Sequence, residues 1–493
     1  MKKFNSISFL ALLIVLYVSR NAVPYAIYPL IGLLLPFTFY QIINMKLAKQ
    51  ALIKSVKAFS PVILLILIEL AAIFLTVYPF QNRPFEMLKE ITFISIFMFL
   101  LSYHIQSKQD FKQLIQHIGN YFIVFSIIIS VVGLWKFLYS PAFISYNYLG
   151  ENRHFMWGSS IVSDYNFFSL FLFNGLVFGL YKILNSPAKI KYKVLFLIGL
   201  QVIISTAFLS GSRRLVFCMG VFSLVCLLLL IRPMFKKVFL NEITYKYHLL
   251  FCGFSICTLG ILYSFLSYFP LVSEKTEQML LIDSVQVNLN ISTISTRINS
   301  AASYPLIKMG TEVNADTINL AVLSDTASIA SLGMSSVSSS DITPAIVPPP
   351  EIESLTSSRK ELWILGKEIY REYSTFHKIF GHGFAFLDIF KKETEQPYPH
   401  HLFLSILLFS GIIGLMLYIA ILLCCSVVYL FHFKDLSVLF LLFIVNFMCG
   451  FFSFFDFLGA SFYALLIIFP LLYVYLYGYK DFLKELSCRI KKK

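Results

Sequence analysis

Charged residues are scarce in this chain. They make up 13% of its 493 residues, whereas hydrophobic residues make up 58%. A typical soluble domain carries about 25% charged residues, and the mean hydropathy here is +0.77. This shortage excludes an ordinary soluble protein and predicts an all-α polytopic membrane protein, because helices satisfy their own backbone groups inside a bilayer.

The sequence also lacks the residue patterns of cysteine metal sites and of carboxylate metal sites. None of the eight cysteines falls in the long polar segment 271–401, so neither a disulfide framework nor a cysteine metal site is indicated. No carboxylate cluster lies near the candidate site residues named below. We therefore expect neither a metal nor another cofactor.

The net charge of +14 could suggest a nucleic-acid partner. The positive residues, however, fall in short loops between apolar stretches, as the residues that set membrane topology do. No recognisable nucleic-acid-binding motif accompanies them. We expect membrane lipids, and no nucleic acid, around this chain.

About twelve apolar stretches are long enough to cross a bilayer, which takes about 20 mostly apolar residues. They are 4–19, 23–43, 60–80, 86–104, 118–138, 164–184, 193–210, 215–231, 247–268, 402–430, 436–455 and 459–477. Residues 402–430 exceed one crossing, which predicts a short interfacial helix before that span.

Lysine and arginine are concentrated in alternate loops and in the tail. The positions are Lys46, Lys49, Lys54 and Lys57; Lys108 and Lys112; Lys189 and Lys191; Arg232, Lys236 and Lys237; Lys434; and 479–493. Because positive residues favour the cytoplasmic side, both chain ends are expected inside. The loop 139–163, the turn at Arg213-Arg214 and the loop 271–401 are then expected outside.

The predicted organisation has four parts. They are nine spans in 1–270, an outer loop in 271–401, three spans in 402–478 and a basic cytoplasmic tail in 479–493. Within the loop, residues 300–357 are rich in Ser, Thr, Ala and Pro, which indicates a flexible insertion. Apolar residues recur at helical spacing in 358–373, which predicts an amphipathic helix at the membrane surface.

Arg213 and Arg214 lie in the turn between two predicted spans, on the side where positive charge is disfavoured. A guanidinium does not lose its proton and presents a planar fork of donors that suits phosphate. The pair therefore indicates an outward-facing anion site. The alternative is an interfacial anchor whose side chains extend to lipid headgroups.

Two further clusters share the predicted outer side. Arg359 opens the amphipathic helix, next to the positive end of the helix dipole, where a cation is unfavourable unless an anion binds nearby. Tyr398-Pro399-His400-His401 directly precedes the tenth predicted span. Taken alone, Arg359 also fits a solvated first-turn residue, and His400 fits an ordinary interfacial histidine.

These motifs, in this order, resemble those of the O-antigen ligases and related polysaccharide polymerases. That family carries a Ser-Arg pair at an outer helix end, which here is Ser212-Arg213. After a large outer loop it carries His and a polar residue, nine residues and Gly-x-x-Gly. Here these are His400-His401, residues 402–410 and Gly411-Ile412-Ile413-Gly414.

The resemblance extends to Asp164-Tyr165-Asn166, which is similar to an Asp/Asn element in some relatives. It covers about residues 155–232 and 356–430. The chain departs from the family at His401, where Asn, Ser or Gln is usual, and in its insertion 300–357.

The resemblance implies a GT-C-like, metal-independent, inverting glycosyltransferase in a bacterial inner membrane, with its active site on the periplasmic side. Its donor would be a polyprenyl-diphosphate-linked glycan, and its acceptor a sugar hydroxyl of a lipid A-core-type molecule. His400 would be the general base, and Arg213 and Arg359 would hold the diphosphate. Arg214, His401, Asp164 and Asn166 would contribute to substrate binding. A polymerase using the same donor is the alternative within the family.

The residues leave two other classes of function open. A transporter is suggested by the number of spans and by Glu69, which lies midway along the third span, where a carboxylate is costly. Transporters usually show two matching halves, whereas the loop 271–401 divides nine spans from three. A non-catalytic assembly protein is the other possibility.

Overall fold

The computed structural model describes a large part of the chain. The described residues are 6–75, 82–139, 159–162, 164–185, 190–210, 212, 215, 218–222, 224, 357–387, 390, 398–451, 461–478 and 482. The predicted ninth span, most of the eighth, the loop from 271 to 356 and nearly all of the basic tail lie outside them.

The described residues are 89% helical and contain no strand, as the sequence predicts. In chain order the helices are α1 (Ser6–Ser19), α2 (Ile27–Ile43), α3 (Met45–Leu75), α4 (Asn82–His104), α5 (Lys108–Tyr139), α6 (Tyr165–Asn185), α7 (Ile190–Leu209), α8 (Ser357–Glu372), α9 (Thr375–Phe380), α10 (Leu402–Phe431), α11 (Phe433–Phe451) and α12 (Ser461–Tyr477).

Five of the described helices are long and apolar enough to cross a membrane. These stretches are Met45–Ile73, Met87–His104, Lys108–Lys136, Tyr165–Ile183 and Leu402–Phe431. Shorter apolar helices accompany them in α1, α2, α7, α11 and α12. The chain thus has the composition and the helix lengths of a helical membrane protein.

The start of α3 corrects the sequence interpretation. The lysine-rich residues 44–59 were expected to form an inner loop, but α3 already begins at Met45. The lysines therefore belong to this helix, where Lys46 and Lys49 are exposed and Ala51 and Ala58 are buried. A kink at Phe59 precedes Pro61, where the missing N–H and the proline ring interrupt the helical hydrogen bonds.

The core of the fold is a bundle around α5 and α10. Helix α5 packs against α1, α6 and α7, and α10 packs against α3, α9, α11 and α12. A buried pair of amides joins α6 to α11, where Asn174 and Asn446 each donate to the other's oxygen at 3.3 and 2.8 Å. Such polar pairs link helices inside a membrane, where few other partners exist.

Helix α10 is broken at Gly411, which has φ 67° and ψ −168°. The break divides the long stretch into 402–410 and a longer second segment, as its excess length predicts. The turn after α9 binds at the break, where the His382 and Gly383 amides donate to the Leu408 and Phe409 carbonyls, both at 3.0 Å. These bonds satisfy carbonyls that a continuous helix would use itself.

Replacing Gly411 by alanine is expected to destabilise the protein. Its backbone conformation is essentially limited to glycine and costs other residues about 1–3 kcal/mol. A Cβ there would also collide with the Ile379 carbonyl oxygen. The melting temperature of the detergent-solubilised variant should fall clearly, whereas Gly32→Ala should leave it nearly unchanged because no atom lies within 4 Å of a Cβ at Gly32. Equal melting temperatures of the two variants would contradict the break in α10 at Gly411.

Candidate functional site

His401 lies where three helices meet. Its Nδ1 accepts a hydrogen bond from the Leu404 amide at 3.2 Å, which caps the start of α10. The ring centroid lies 5.1 Å from that of Trp363 in α8, in an edge-on arrangement. It lies 4.5 Å from the ring centroid of Phe451, the last residue of α11. His401 therefore joins α8, α10 and α11 at one end of the bundle.

The environment of His401 keeps its imidazole neutral. Burial lowers the pKa of His401 below its usual value, and the positive charge of Lys367 lowers it further. Because Nδ1 accepts the capping bond, the proton of the neutral ring is carried by Nε2. His401 thus has one N–H left to donate.

The stability of the protein is expected to fall in mild acid because of His401. Its folded pKa lies below the unfolded value of about 6.5. The neutral ring therefore stabilises the fold above about pH 6.5, and this contribution is lost as the pH falls through the lowered pKa. Melting temperatures between pH 7.5 and 5 should fall less steeply in His401→Asn, which keeps a capping side chain but does not titrate.

A matched variant separates titration from capping. His401→Ala removes both, so it should lose about 1 kcal/mol of stability at every pH and share the flatter pH profile. If the wild-type protein and His401→Asn show the same dependence on pH, the buried neutral ring is not the cause.

His400 has a different environment from its neighbour. Its backbone is in the left-handed region, with φ 50°, which is uncommon for a residue other than glycine. The half-buried ring packs against Tyr398, with 4.4 Å between centroids. Such backbone conformations persist where the surrounding structure holds them, and they concentrate at functional sites.

Asp164 and Asn166 lie together at the start of α6. The Asp164 carboxylate accepts hydrogen bonds from the Asn166 and Phe167 amides at 3.0 and 3.2 Å, so it caps the helix. Asn166 accepts a hydrogen bond from the Ser212 hydroxyl at 3.0 Å. The structure gives Asp164 a capping role, which the sequence interpretation had not included, and ties the residue before Arg213 to α6.

Arg213 and Arg214 lie outside the described residues, but the residues on both sides of them are described. Ser212 bonds to α6, as above, and Cys218 lies against Cys449 of α11, with 2.6 Å between the sulfur atoms. Cys449 comes two residues before Phe451, which contacts His401. The flanks of the arginine pair therefore approach the end of α11 that contacts His401.

The backbone of Arg359 lies in the first turn of α8, although its side chain is outside the described residues. It precedes Trp363, whose ring contacts His401, by one helical turn. Helix α8 spans almost the range predicted for the amphipathic helix and begins one residue earlier, at Ser357. It packs against α10, where a Cβ on Gly366 would collide with the Leu404 side chain.

Two features near this end were missed in the sequence. Phe451 contacts the His401 ring, and an isolated aromatic residue gives no signal of such a role in a chain with 52 phenylalanines. Arg20, in contrast, follows α1 on the predicted outer side, so it breaks the same charge bias that drew attention to Arg213. It forms a buried ion pair with Glu90, which also accepts from the Tyr17 hydroxyl at 3.0 Å.

A second imidazole cluster supports the broken helix. His377 and His382 stack with 4.2 Å between ring centroids, and Tyr373 lies 5.2 Å from His382. Burial lowers the pKa of His382, and the neighbouring His377 lowers it further. Among the residues that the structure describes, no group of three or more His, Cys, Asp or Glu side chains is placed to hold a metal ion.

No protein-family model matches the chain, and no curated protein matches it.

Proposed function

We propose that the protein transfers a glycan from a polyprenyl-diphosphate carrier onto a sugar hydroxyl of a lipid A-core-type acceptor, as an O-antigen ligase-like enzyme. The observation that carries this proposal is the arrangement around His401. The first turn of α8 with Arg359 and the neighbouring His400 lie beside His401. The flanks of Arg213-Arg214 bind α6 and α11, and the last residue of α11 contacts His401.

The proposed architecture has about twelve spans in a GT-C-like arrangement, with the loop 271–401 over the ninth and tenth spans. The alternation of lysine-rich loops supports this sidedness. The protein would lie in a bacterial inner membrane, with its site at the periplasmic surface. The lengths and the apolar composition of five described helices support a location in a membrane.

The arginines suit the leaving group of this reaction. Negative charge grows on the diphosphate as the glycosidic bond breaks, and fixed cationic donors stabilise such charge most in a site shielded from water. Arg213 and Arg359 would hold the diphosphate through paired hydrogen bonds, with Arg214 assisting. An ionised diphosphate leaves without protonation, so the reaction needs no general acid at this position.

The acceptor hydroxyl does need to lose its proton. His400 would accept that proton while the oxygen attacks the anomeric carbon and the bond to the diphosphate breaks, which inverts the configuration. A histidine titrates near pH 6.5 and is neutral enough to act as a base near neutral pH. The neighbouring arginines would disfavour the imidazolium form.

His401 would bind substrate and leave the proton transfer to His400. Its Nδ1 is engaged in capping α10, so only its Nε2–H is left to donate to a sugar or phosphate oxygen. Trp363 and Phe451 flank the ring, and aromatic side chains of this kind offer apolar faces to sugars. Asn166 would contribute through the start of α6, where it already binds Ser212.

A polymerase that extends the glycan on its carrier is the alternative within the same fold, because the donor chemistry is shared. Purified protein incubated with labelled lipid-linked glycan separates the two. The proposal expects label to move to a lipid A-core acceptor, with no effect of a chelator. Growth of the carrier-linked chain in the absence of that acceptor would identify a polymerase, and label that stays on its carrier in every mixture would exclude both.

A further inference from the structure

A cavity of about 400 Å³ opens at the end of the bundle opposite to His400. It lies between the first turns of α5, the last turn of α6, the start of α11 and the end of α12, which pack against one another. Its volume falls in the range of about 300–1,000 Å³ typical of ligand sites. The lysine distribution predicts that this end faces the cytoplasm.

The rim of the cavity is polar and carries excess positive charge. Lys112, Asn120, Lys182 and Asp435 line it and are exposed. The Lys182 ammonium donates to the Asn120 amide oxygen at 2.6 Å, and Lys112 pairs with Asp435 at 3.0 Å. Because the Lys112–Asp435 pair is well exposed, its side chains exchange partners at little cost. Two lysines thus face one carboxylate.

The wall of the cavity is apolar. Phe111, Ile123, Phe178 and Val438 line it and are buried. From Phe111 to Ile123 helix α5 rises roughly 18 Å at about 1.5 Å per residue. The cavity therefore follows one side of α5, with its polar residues at the exposed rim and its apolar residues on the buried wall.

We propose that this cavity binds an anionic glycerophospholipid from the surrounding membrane. Its phosphate would lie at Lys112 and Lys182, and an acyl chain would follow the apolar wall. Lysines near a membrane surface attract anionic headgroups, and their long side chains carry the charge outward from apolar surroundings. A free phosphate would match the rim but would leave the apolar wall without a partner.

The test compares two lipids with the same acyl chains on the purified full-length protein. Phosphatidylglycerol and phosphatidylcholine are titrated separately in detergent, and bound lipid is counted by native mass spectrometry. Phosphatidylglycerol should bind more tightly. The double variant Lys112→Ala, Lys182→Ala should bind it roughly 30-fold more weakly, from about 5-fold for each lysine. Phosphatidylcholine binding should be unchanged.

Two variants keep the test specific. The control Lys46→Ala, Lys49→Ala removes the same charge from exposed positions of α3 outside the cavity and should retain phosphatidylglycerol binding. Ile115→Trp keeps every charge but fills the cavity from a partly buried position, and it should weaken binding. Equal binding of both lipids, equal loss in the control, no effect of Ile115→Trp, or displacement of the lipid by inorganic phosphate would each overturn the proposal.

Discussion

His400→Ala is expected to lower the rate of glycan transfer by roughly 10²–10⁴-fold, the usual contribution of a positioned general base. The loss should appear in kcat more than in KM, because proton removal belongs to the reaction step. The strained backbone at His400, with φ 50°, supports a functional reason for the residue. Transfer is measured with the purified variant, labelled donor and acceptor.

The matched control for this variant is His117→Ala. His117 lies in the first turns of α5, at the end of the bundle away from His400, so transfer should be unchanged. His400→Gln should be as inactive as His400→Ala, since an amide is no base. If either His400 variant retains wild-type kcat while its melting temperature is unchanged, the residue does not act as the base.

Arg213→Ala is expected to reduce transfer by roughly 10²–10³-fold, the range seen when one fixed donor to a developing negative charge is removed. Arg213→Lys should recover only part of the loss, because an ammonium keeps the charge but not the paired, planar donors. Arg359→Ala and Arg359→Lys should follow the same order. The graded series separates recognition of a diphosphate from a general effect of charge.

Arg371→Lys and Arg371→Ala are the controls for the arginine series. Arg371 is exposed near the end of α8, so neither change should alter transfer. An interfacial anchor at Arg213 makes the opposite prediction, namely that lysine replaces arginine fully. Full activity of Arg213→Lys would therefore favour the anchor over the diphosphate site.

Much of the fold follows from the sequence. Helix α6 occupies Tyr165–Asn185, against 164–184 expected, because a long apolar run leaves little choice of structure in a membrane. The predicted start of α3 was wrong because the lysines were taken as markers of a loop, whereas the helix begins at Met45 and includes them. The contact between the His382 turn and the break in α10 could not be predicted either, since it depends on backbone hydrogen bonds between separate segments.

The site could be predicted only as a list of residue types. The Arg213 and His400 motifs stand out by charge and by resemblance, but nothing in their spacing shows which partners they meet. The pairs Asn174–Asn446 and Cys218–Cys449 join residues far apart in the chain. Periodicity is a local property and carries no information on such contacts. The capping roles of Asp164 and His401 use side-chain atoms that could otherwise bind substrate. These roles can be recognised only once the helix starts are known.

The meeting of the Arg213 and His400 motifs is tested most directly by cross-linking across the outer loop. A protease site is inserted within 300–357, so that cleavage separates 213 from 400. In a cysteine-free background, Arg213→Cys and His400→Cys are treated with a short bis-maleimide. A separate protein that keeps only the native Cys218 and Cys449, joined by a mild oxidant, serves as the positive control because their sulfur atoms lie 2.6 Å apart. Lys182→Cys with His400→Cys serves as the negative control.

We expect the two fragments to stay joined for the 213–400 pair and for the native pair after cleavage, and to separate for the 182–400 pair. Fragments that separate for 213–400 while the native pair holds them together would contradict the account, because the diphosphate-binding arginine and the base would then not share a site.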